Sequence, residues 1–280
     1  MFVFLLVVLF VCSVGSVDRP VTADDKVPVD QIIAKNLESI GSEAVRAGIR
    51  TRMIGGKSQV TFRARTIAST DGAAVLASTG IKNILAMKFQ SSEYPYEKLG
   101  FDGDKVSVYQ LNPGDYSSLA SFVRSYPVIV KDGLLGGTLS SAWPLTDVSA
   151  HKVKLESGGF KKVNSERLLE VKYEPRGGSD LQINLYFDPE TFHHVRTVYT
   201  RIIAAQMGRT PEQSSRMTET RYELVEEFSD FKTESGMTLP HTYKIRLGQN
   251  GSSAQYSEWA LTLDQFIFNQ QISDAEFRVS

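Results

Sequence analysis

The sequence has little cysteine: its 280 residues include a single one, Cys12. Cys12 ends an apolar run that begins at Phe2, and small residues follow it at Ser13, Gly15 and Ser16. This pattern predicts a secretory signal peptide over residues 1–16, although no lysine or arginine precedes the apolar run. Cleavage near Gly15 or Ser16 would remove the cysteine. Disulfides, a thiol nucleophile and thiolate metal ligands are then excluded from the mature chain.

Cys12 also allows a second interpretation, in which it carries a lipid. Val11 stands before it, where lipoprotein signals have a small residue, and removal with the signal peptide is therefore favoured. The polar stretch 17–28 contains Pro20 and Pro28 and is predicted to be a linker. A single domain is expected over residues 29–280, outside the cytoplasm.

Neither sign of charge dominates the chain. Lysine and arginine number 31 against 32 acidic residues, for a formal net charge of -1. No dense basic block is present, which argues against a nucleic-acid partner, since such binding depends on clustered positive charge. The longest apolar run, Phe2 to Cys12, is too short to cross a bilayer as a helix. The hydrophobic share of 41% is enough for a sizeable core.

Two segments have the periodicity of amphipathic helices. In the first, apolar residues recur at spacings of three and four, from Ile32 to Ile40, and Gly41 follows. In the second, which stops before Pro127, Asp115 or Ser117 can cap the start. Its apolar stripe consists of Leu119, Phe122 and Val123.

Most of the remaining chain alternates between apolar and polar residues, as half-buried strands do. The alternation is clear in residues 168–174, 181–187, 242–247 and 259–263, and its parity reverses near Asp264 and Gln265, which predicts a bulge there. Turn-forming breaks separate the runs, and no parallel strand-helix-strand rhythm is present. The sheet is therefore expected to be antiparallel.

Such a sheet must cover its apolar face, and two helices are too few to cover a flat sheet of roughly ten strands. The predicted fold is mainly β, with some α: a strongly curved antiparallel sheet that forms a half-open barrel. An N-terminal helix and a second helix or lid segment would cover its cavity.

The adjacent histidines His193 and His194 are the first candidates for chemistry. They follow the turn Asp188-Pro189-Glu190-Thr191, whose residues favour a type I turn and hence a hairpin. Adjacent strand residues point to opposite faces, so the pair cannot ligate one metal ion. Both are interpreted as partly exposed histidines at a strand end.

Other catalytic patterns are absent from the sequence. It has no nucleophile elbow, no zinc-protease helix, no P-loop and no dinucleotide-binding glycine pattern. The neighbouring acids Glu226 and Glu227 should splay apart on a strand and are interpreted as part of a solvated face. No catalytic residue, metal site or cofactor is predicted, although an envelope-lipid hydrolase with two distant carboxylates stays open as an alternative.

Four segments along the chain, residues 29–41, 185–199, 222–245 and 268–277, resemble in their order the LolA/LolB-like superfamily of periplasmic lipoprotein carriers and outer-membrane lipoprotein receptors. The strongest are residues 188–191 after a strand and residues 228–231, Phe-Ser-Asp-Phe, followed by Gly236 and the pair Leu239-Pro240. The resemblance covers residues 29 to 277. It implies a half-closed barrel whose cavity holds acyl chains, a periplasmic location with contact to the outer membrane, and envelope proteins that donate or accept the cargo.

The resemblance therefore implies a non-enzymatic carrier of acyl-bearing lipids or lipoproteins. An envelope regulatory sensor or scaffold is the alternative, because LolA-like domains also occur in proteins that control an anti-sigma factor. By strand parity, the residues expected to face the cavity are Leu169, Val171, Ile183, Leu185, Phe187, Tyr243, Ile245, Trp259 and Leu261.

The apolar, glycine-rich segment 126–145 has no clean period and allows two interpretations. It is either a connection packed in the core or a movable lid, hinged at glycines 133, 136 and 137. The residues that would cap the cavity as a lid are Leu134, Leu135, Leu139 and Trp143.

Overall fold

The computed structural model describes residues 26–203, 219–250 and 255–279. The predicted signal peptide, Cys12 and the linker up to residue 25 lie outside the described residues. None of the helices described is long and apolar enough to span a membrane.

The described parts of the chain form twelve strands and five short helices. The strands are β1 (Thr51–Arg63), β2 (Ile67–Thr79), β3 (Lys82–Phe89), β4 (Tyr96–Phe101), β5 (Val106–Val108), β6 (Lys154–Val163), β7 (Glu166–Glu174), β8 (Leu181–Phe187), β9 (His194–Ile203), β10 (Thr220–Glu234), β11 (Met237–Asn250) and β12 (Tyr256–Phe268). The helices are α1 (Val29–Ile40), α2 (Glu43–Gly48), α3 (Ser118–Ser125), α4 (Val128–Lys131) and α5 (Val148–His151). Short 3-10 helices cover Gly137–Leu139, Pro144–Thr146 and Asp274–Phe277.

All twelve strands belong to one antiparallel sheet, in the order β5-β4-β3-β2-β1-β12-β11-β10-β9-β8-β7-β6. Strands β1 and β12 join the two halves of the chain, with Val60 opposite Trp259. The outer strands β5 and β6 do not pair with each other, so the sheet does not close. The predicted mainly β fold, a half-open barrel with few helices, is confirmed.

Both predicted helices form where their patterns indicate. In α1, Ile32 and Ile40 are buried, and Gly41 follows the last turn. In α3, the side chain of Ser117 accepts a hydrogen bond from the backbone N–H of Ala120 at 2.9 Å, which caps the helix. The residue before Pro127 cannot easily stay helical, and α3 ends at Ser125.

Two local features of the strands were also predicted correctly. Asp188 Oδ1 accepts hydrogen bonds from the backbone N–H groups of Glu190 and Thr191, at 3.0 and 2.7 Å, in the connection between β8 and β9. In the pairing of β1 with β12, Gly55 lies opposite Gln265, but Gly56 lies opposite Leu263. Residue 264 is thus the extra residue of a bulge, which reverses the parity of β12.

The interpretation of both histidines as partly exposed is wrong for His194. They do point to opposite faces: His193 is half-buried and stacks on Phe231, whereas His194 is fully buried. The ring of His194 packs between Trp143 and Phe187, with ring centroids 4.5 and 5.5 Å away. Burial lowers the pKa of His194 to about 3, so this histidine is neutral and belongs to the core.

Candidate functional site

The nine residues predicted to face a cavity lie on one face of the sheet, and each is at most 2% exposed. Strand register brings them together in pairs: Leu169 with Phe187, Val171 with Leu185, Tyr243 with Leu261 and Ile245 with Trp259. Ile183, the ninth, lies opposite Tyr173. All nine belong to a single hydrophobic core cluster.

Seven buried residues of this cluster come from the segment 128–145, here called the plug. Residues 133–140 and 142–145 of the plug are all buried. The four residues predicted to cap a cavity, Leu134, Leu135, Leu139 and Trp143, are at most 5% exposed and belong to the same cluster as the sheet residues. The plug therefore packs its own side chains against the apolar face of the half-barrel.

Close packing explains two of the three glycines of the plug, Gly133 and Gly137. A Cβ atom at position 133 would lie 2.0 Å from the carbonyl oxygen of Ala142, and one at position 137 would lie 2.8 Å from His194 Nδ1. Two parts of the plug thus touch through the backbone of Gly133, and Gly137 packs directly on the buried histidine.

Hydrogen bonds from polar side chains connect the plug to the sheet and to α1. The guanidinium of Arg52 is buried and donates to the carbonyl oxygens of Thr138 and Ser140, at 2.7 and 3.0 Å. Burial lowers the pKa of Arg52 to about 10, which still leaves the group charged at neutral pH. The indole N–H of Trp143 donates to Asn36 Oδ1 of α1 at 3.2 Å.

Glu226 makes a third polar contact between the sheet and the plug. The prediction that it lies on a solvated face is wrong. Glu227 does face the outside and pairs with Arg196, but Glu226 on the same strand is fully buried. Its carboxylate accepts hydrogen bonds from the hydroxyls of Tyr199 and Tyr243, at 2.6 and 2.5 Å. The backbone N–H of Gly136 in the plug donates a third bond, at 2.8 Å. Burial raises the pKa of Glu226 to about 7.

A second buried carboxylate, Glu97 of β4, was not singled out in the sequence. It accepts a hydrogen bond from the hydroxyl of Tyr94, which in turn accepts one from the indole N–H of Trp259 at 3.0 Å. Burial raises the pKa of Glu97 to about 7.

Strand parity could have predicted the burial of Glu226, because Glu226 lies on the same face of β10 as Leu224 and Phe228. The tyrosine partners of Glu226 are 17 and 27 residues away in the sequence, whereas Tyr94 is three residues from Glu97.

Both buried acids accept hydrogen bonds inside the core. Glu226 is bound by two tyrosine hydroxyls and Glu97 by one, and neither acid lines the open pocket described below. The described residues contain no cluster of three or more His, Cys, Asp or Glu side chains that could hold a metal ion. The buried polar groups therefore connect structural elements.

An open pocket of about 500 Å³ lies at one end of the half-barrel. It is formed by the last residues of β1, β9 and β11, the first residues of β10 and β12, and one face of α3. Its wall combines apolar side chains, hydroxyl groups and two arginines. The described residues that line it are Phe62, Arg63, Ala64, Ser118, Ser121, Phe122, Ser125, Tyr126, Arg201, Tyr222, Leu247, Gly248, Gln249, Gln255, Tyr256 and Ser257.

The position of this pocket was not predicted. None of the nine residues assigned by parity and none of the four plug residues lines it. Its lining residues come from strand ends and from α3, where alternation carries little information. The described lining residues include no His, Cys, Asp or Glu. The pocket therefore offers an apolar wall and positive charge, but no general base from those residue types.

Comparison with known proteins gives matches among solved structures only. Neither a protein-family model nor a curated protein matches the chain. It is similar to a LolA superfamily protein from Nitrosomonas europaea, at 11% identity and a TM-score of 0.48, over 90% of this chain and 98% of that one. A DUF1329 family protein from Desulfovibrio piger matches at 10% identity and a TM-score of 0.48, over 90% and 97% of the two chains.

A third similar structure is described as an outer membrane lipoprotein-sorting protein domain from Vibrio parahaemolyticus. It matches at 9% identity and a TM-score of 0.44, over 89% of this chain and 96% of that one. The resemblance predicted from the sequence is thus found among solved structures. At such identities and TM-scores these likenesses assign no function.

Proposed function

We propose that this protein is a periplasmic, non-enzymatic carrier that binds an acyl-bearing lipid or lipoprotein, with one acyl chain in the open pocket. The observation that carries the proposal is the pocket itself. Its aromatic and aliphatic wall, built from Phe62, Phe122 and Leu247 among others, lies open while the neighbouring interior is filled. A volume of about 500 Å³ falls within the range of ~300–1,000 Å³ of small-molecule sites.

The energetics of burial suit such a ligand. Each methylene group removed from water contributes about 0.8 kcal/mol, so a chain of about a dozen methylenes gains roughly 10 kcal/mol before ordering costs. No reactive side chain is needed for this gain. Transfer of the cargo then requires a competing site on an acceptor in the envelope or a membrane.

The first test is native mass spectrometry of the protein purified from its envelope fraction, followed by extraction and identification of bound lipid. We expect one acyl-bearing molecule per chain. A protein that is free of lipid and takes up no fluorescent fatty-acid probe in titration would contradict the carrier function.

Filling the pocket should weaken uptake of the probe. Ser121 lies on the exposed side of α3 and lines the pocket. We expect Ser121→Trp to weaken binding of a fluorescent fatty acid by roughly tenfold or more, or about 1.4 kcal/mol, because the indole occupies the space of the chain. Titration of the probe by fluorescence measures the change.

The matched control is Ser69→Trp, on β2. Ser69 is also exposed and lies outside the pocket, so this variant should bind the probe like the wild type. Equal affinities of both variants would place the acyl chain elsewhere.

The nine sheet residues are buried, so cargo can touch them only if a segment that covers them moves, and we propose that the plug does so as a lid. The plug consists of short helical turns, and none of its described residues pairs in the sheet. It can therefore move without breaking hydrogen bonds between strands, which supports this proposal. We expect plug amides to exchange hydrogen faster than those of the central strands β11 and β12. Equal protection in hydrogen-exchange mass spectrometry would make the plug a permanent part of the core.

A further inference from the structure

The wall of the open pocket carries positive charge. Arg63 and Arg201 line the pocket, and its described lining residues include no aspartate or glutamate. Asp180, which does not line the pocket, accepts a hydrogen bond from the hydroxyl of Tyr126 at 3.4 Å. The chain as a whole has a formal net charge of -1. The positive character of the pocket is therefore a local property and does not follow from the overall charge of the protein.

Each of the two guanidinium groups makes a cation–π contact with an aromatic ring of the same pocket. The guanidinium carbon of Arg63 lies 5.4 Å from the centroid of the Tyr256 ring. That of Arg201 lies 5.7 Å from the centroid of the Tyr126 ring. Both tyrosines line the pocket. Contacts of this kind hold a cation beside an apolar wall and leave its N–H groups for another partner.

We propose that the ligand of this pocket is a single-chain amphiphile with an anionic head group, a carboxylate or a phosphate. This inference rests on the proposed carrier function and specifies its ligand. The acyl chain lies against Phe62, Phe122 and Leu247, and the arginines bind the head group. Guanidinium groups suit this role because their N–H donors match the oxygens of carboxylates and phosphates in pairs.

The test compares head groups on chains of one length. The probes are lauric acid, dodecyl phosphate, dodecanol and dodecyltrimethylammonium, each titrated below its micelle concentration by displacement of a fluorescent fatty acid. We expect both anions to bind roughly tenfold more tightly than dodecanol, with the ammonium compound weakest. The preference should decrease at high salt, because ions screen partly exposed charges.

Substitution of Arg63 and Arg201 tests whether these arginines cause the preference for anionic head groups. In Arg63→Gln/Arg201→Gln, lauric acid should lose its advantage over dodecanol, while dodecanol keeps its affinity. The control is Arg65→Gln, which removes one positive charge from an exposed position outside the pocket and should preserve the preference. Thermal melting of each variant checks that it folds.

The outcomes separate this inference from the carrier function. If all four compounds bind the wild type with similar affinity, the carrier function stands and the anionic head group is wrong. If none of them binds, the carrier function itself fails. An anion preference that survives in the double variant would also overturn the role of the two arginines.

Discussion

Replacement of Gly133 by alanine is expected to lower the free energy of unfolding by about 3 kcal/mol or more. Gly133 has a φ of +73°, and an added Cβ would lie 2.0 Å from the carbonyl oxygen of Ala142. The clash involves backbone on both sides, so no side-chain rotation can relieve it. The plug would have to open between α4 and its last turn. Urea or guanidinium unfolding of the variant and the wild type measures the loss.

Gly80→Ala is the matched control for this substitution. Gly80 also has a left-handed φ, of +54°, but no atom lies within 4 Å of the position of its Cβ. Only the backbone strain remains, at about 1–2 kcal/mol. The difference between the two variants therefore isolates the close approach within the plug. Equal losses would show that the plug yields easily at Gly133, which would favour its movement as a lid.

Glu226→Gln is expected to abolish a pH dependence of stability. In the folded protein, burial raises the pKa of Glu226 from 4.5 to about 7. The unfolded state therefore loses its proton first, and the folded state is penalised as the pH rises. The stabilising contribution of the proton is complete below pH ~4.5 and is lost as the pH rises through ~7, a change on the order of 3 kcal/mol. Glutamine cannot titrate and lacks this change.

The measurement is the free energy of unfolding of wild type and Glu226→Gln at pH 5 and pH 8. We expect the wild type to lose stability relative to the variant at the higher pH. Glu97 titrates alike in both proteins and cancels in the difference. Glu227→Gln is the control on the opposite face, where the loss of the partly exposed pair with Arg196 should change stability by at most about 1 kcal/mol. A pH-independent difference between wild type and Glu226→Gln would contradict the raised pKa.

These two predictions concern the same structural question, namely how firmly the plug fills the half-barrel. The backbone N–H of Gly136 donates a hydrogen bond to Glu226, and Gly133 lies three residues before Gly136. If Glu226 loses its proton, its charge is stabilised by two tyrosine hydroxyls and by the backbone of the plug. Loss of the plug would leave this buried carboxylate with fewer donors. The polar ties therefore oppose opening, and any cargo that enters the interior must compensate for them.

Local structure and fold class follow from short-range patterns in the sequence. The spacing of Ile32 and Ile40 and the turn at Asp188 act over a few residues, and both were predicted correctly. Ser117, the observed cap of α3, was one of the two predicted caps. The bulge at Asp264 followed from one reversal of parity. Alternation and the scarcity of helices were enough to predict an open antiparallel sheet, because these properties repeat along every strand.

Tertiary structure alone decided what lies inside that sheet. Parity predicted that the nine sheet residues face inward, but whether a ligand or the chain itself covers them depends on the path of the plug. The burial of His194 and Glu226 depends on partners such as Trp143 and Tyr199, some 27 to 51 residues away. The open pocket is formed by five strand ends and a helix. Its shape depends on long-range packing, which no local pattern encodes.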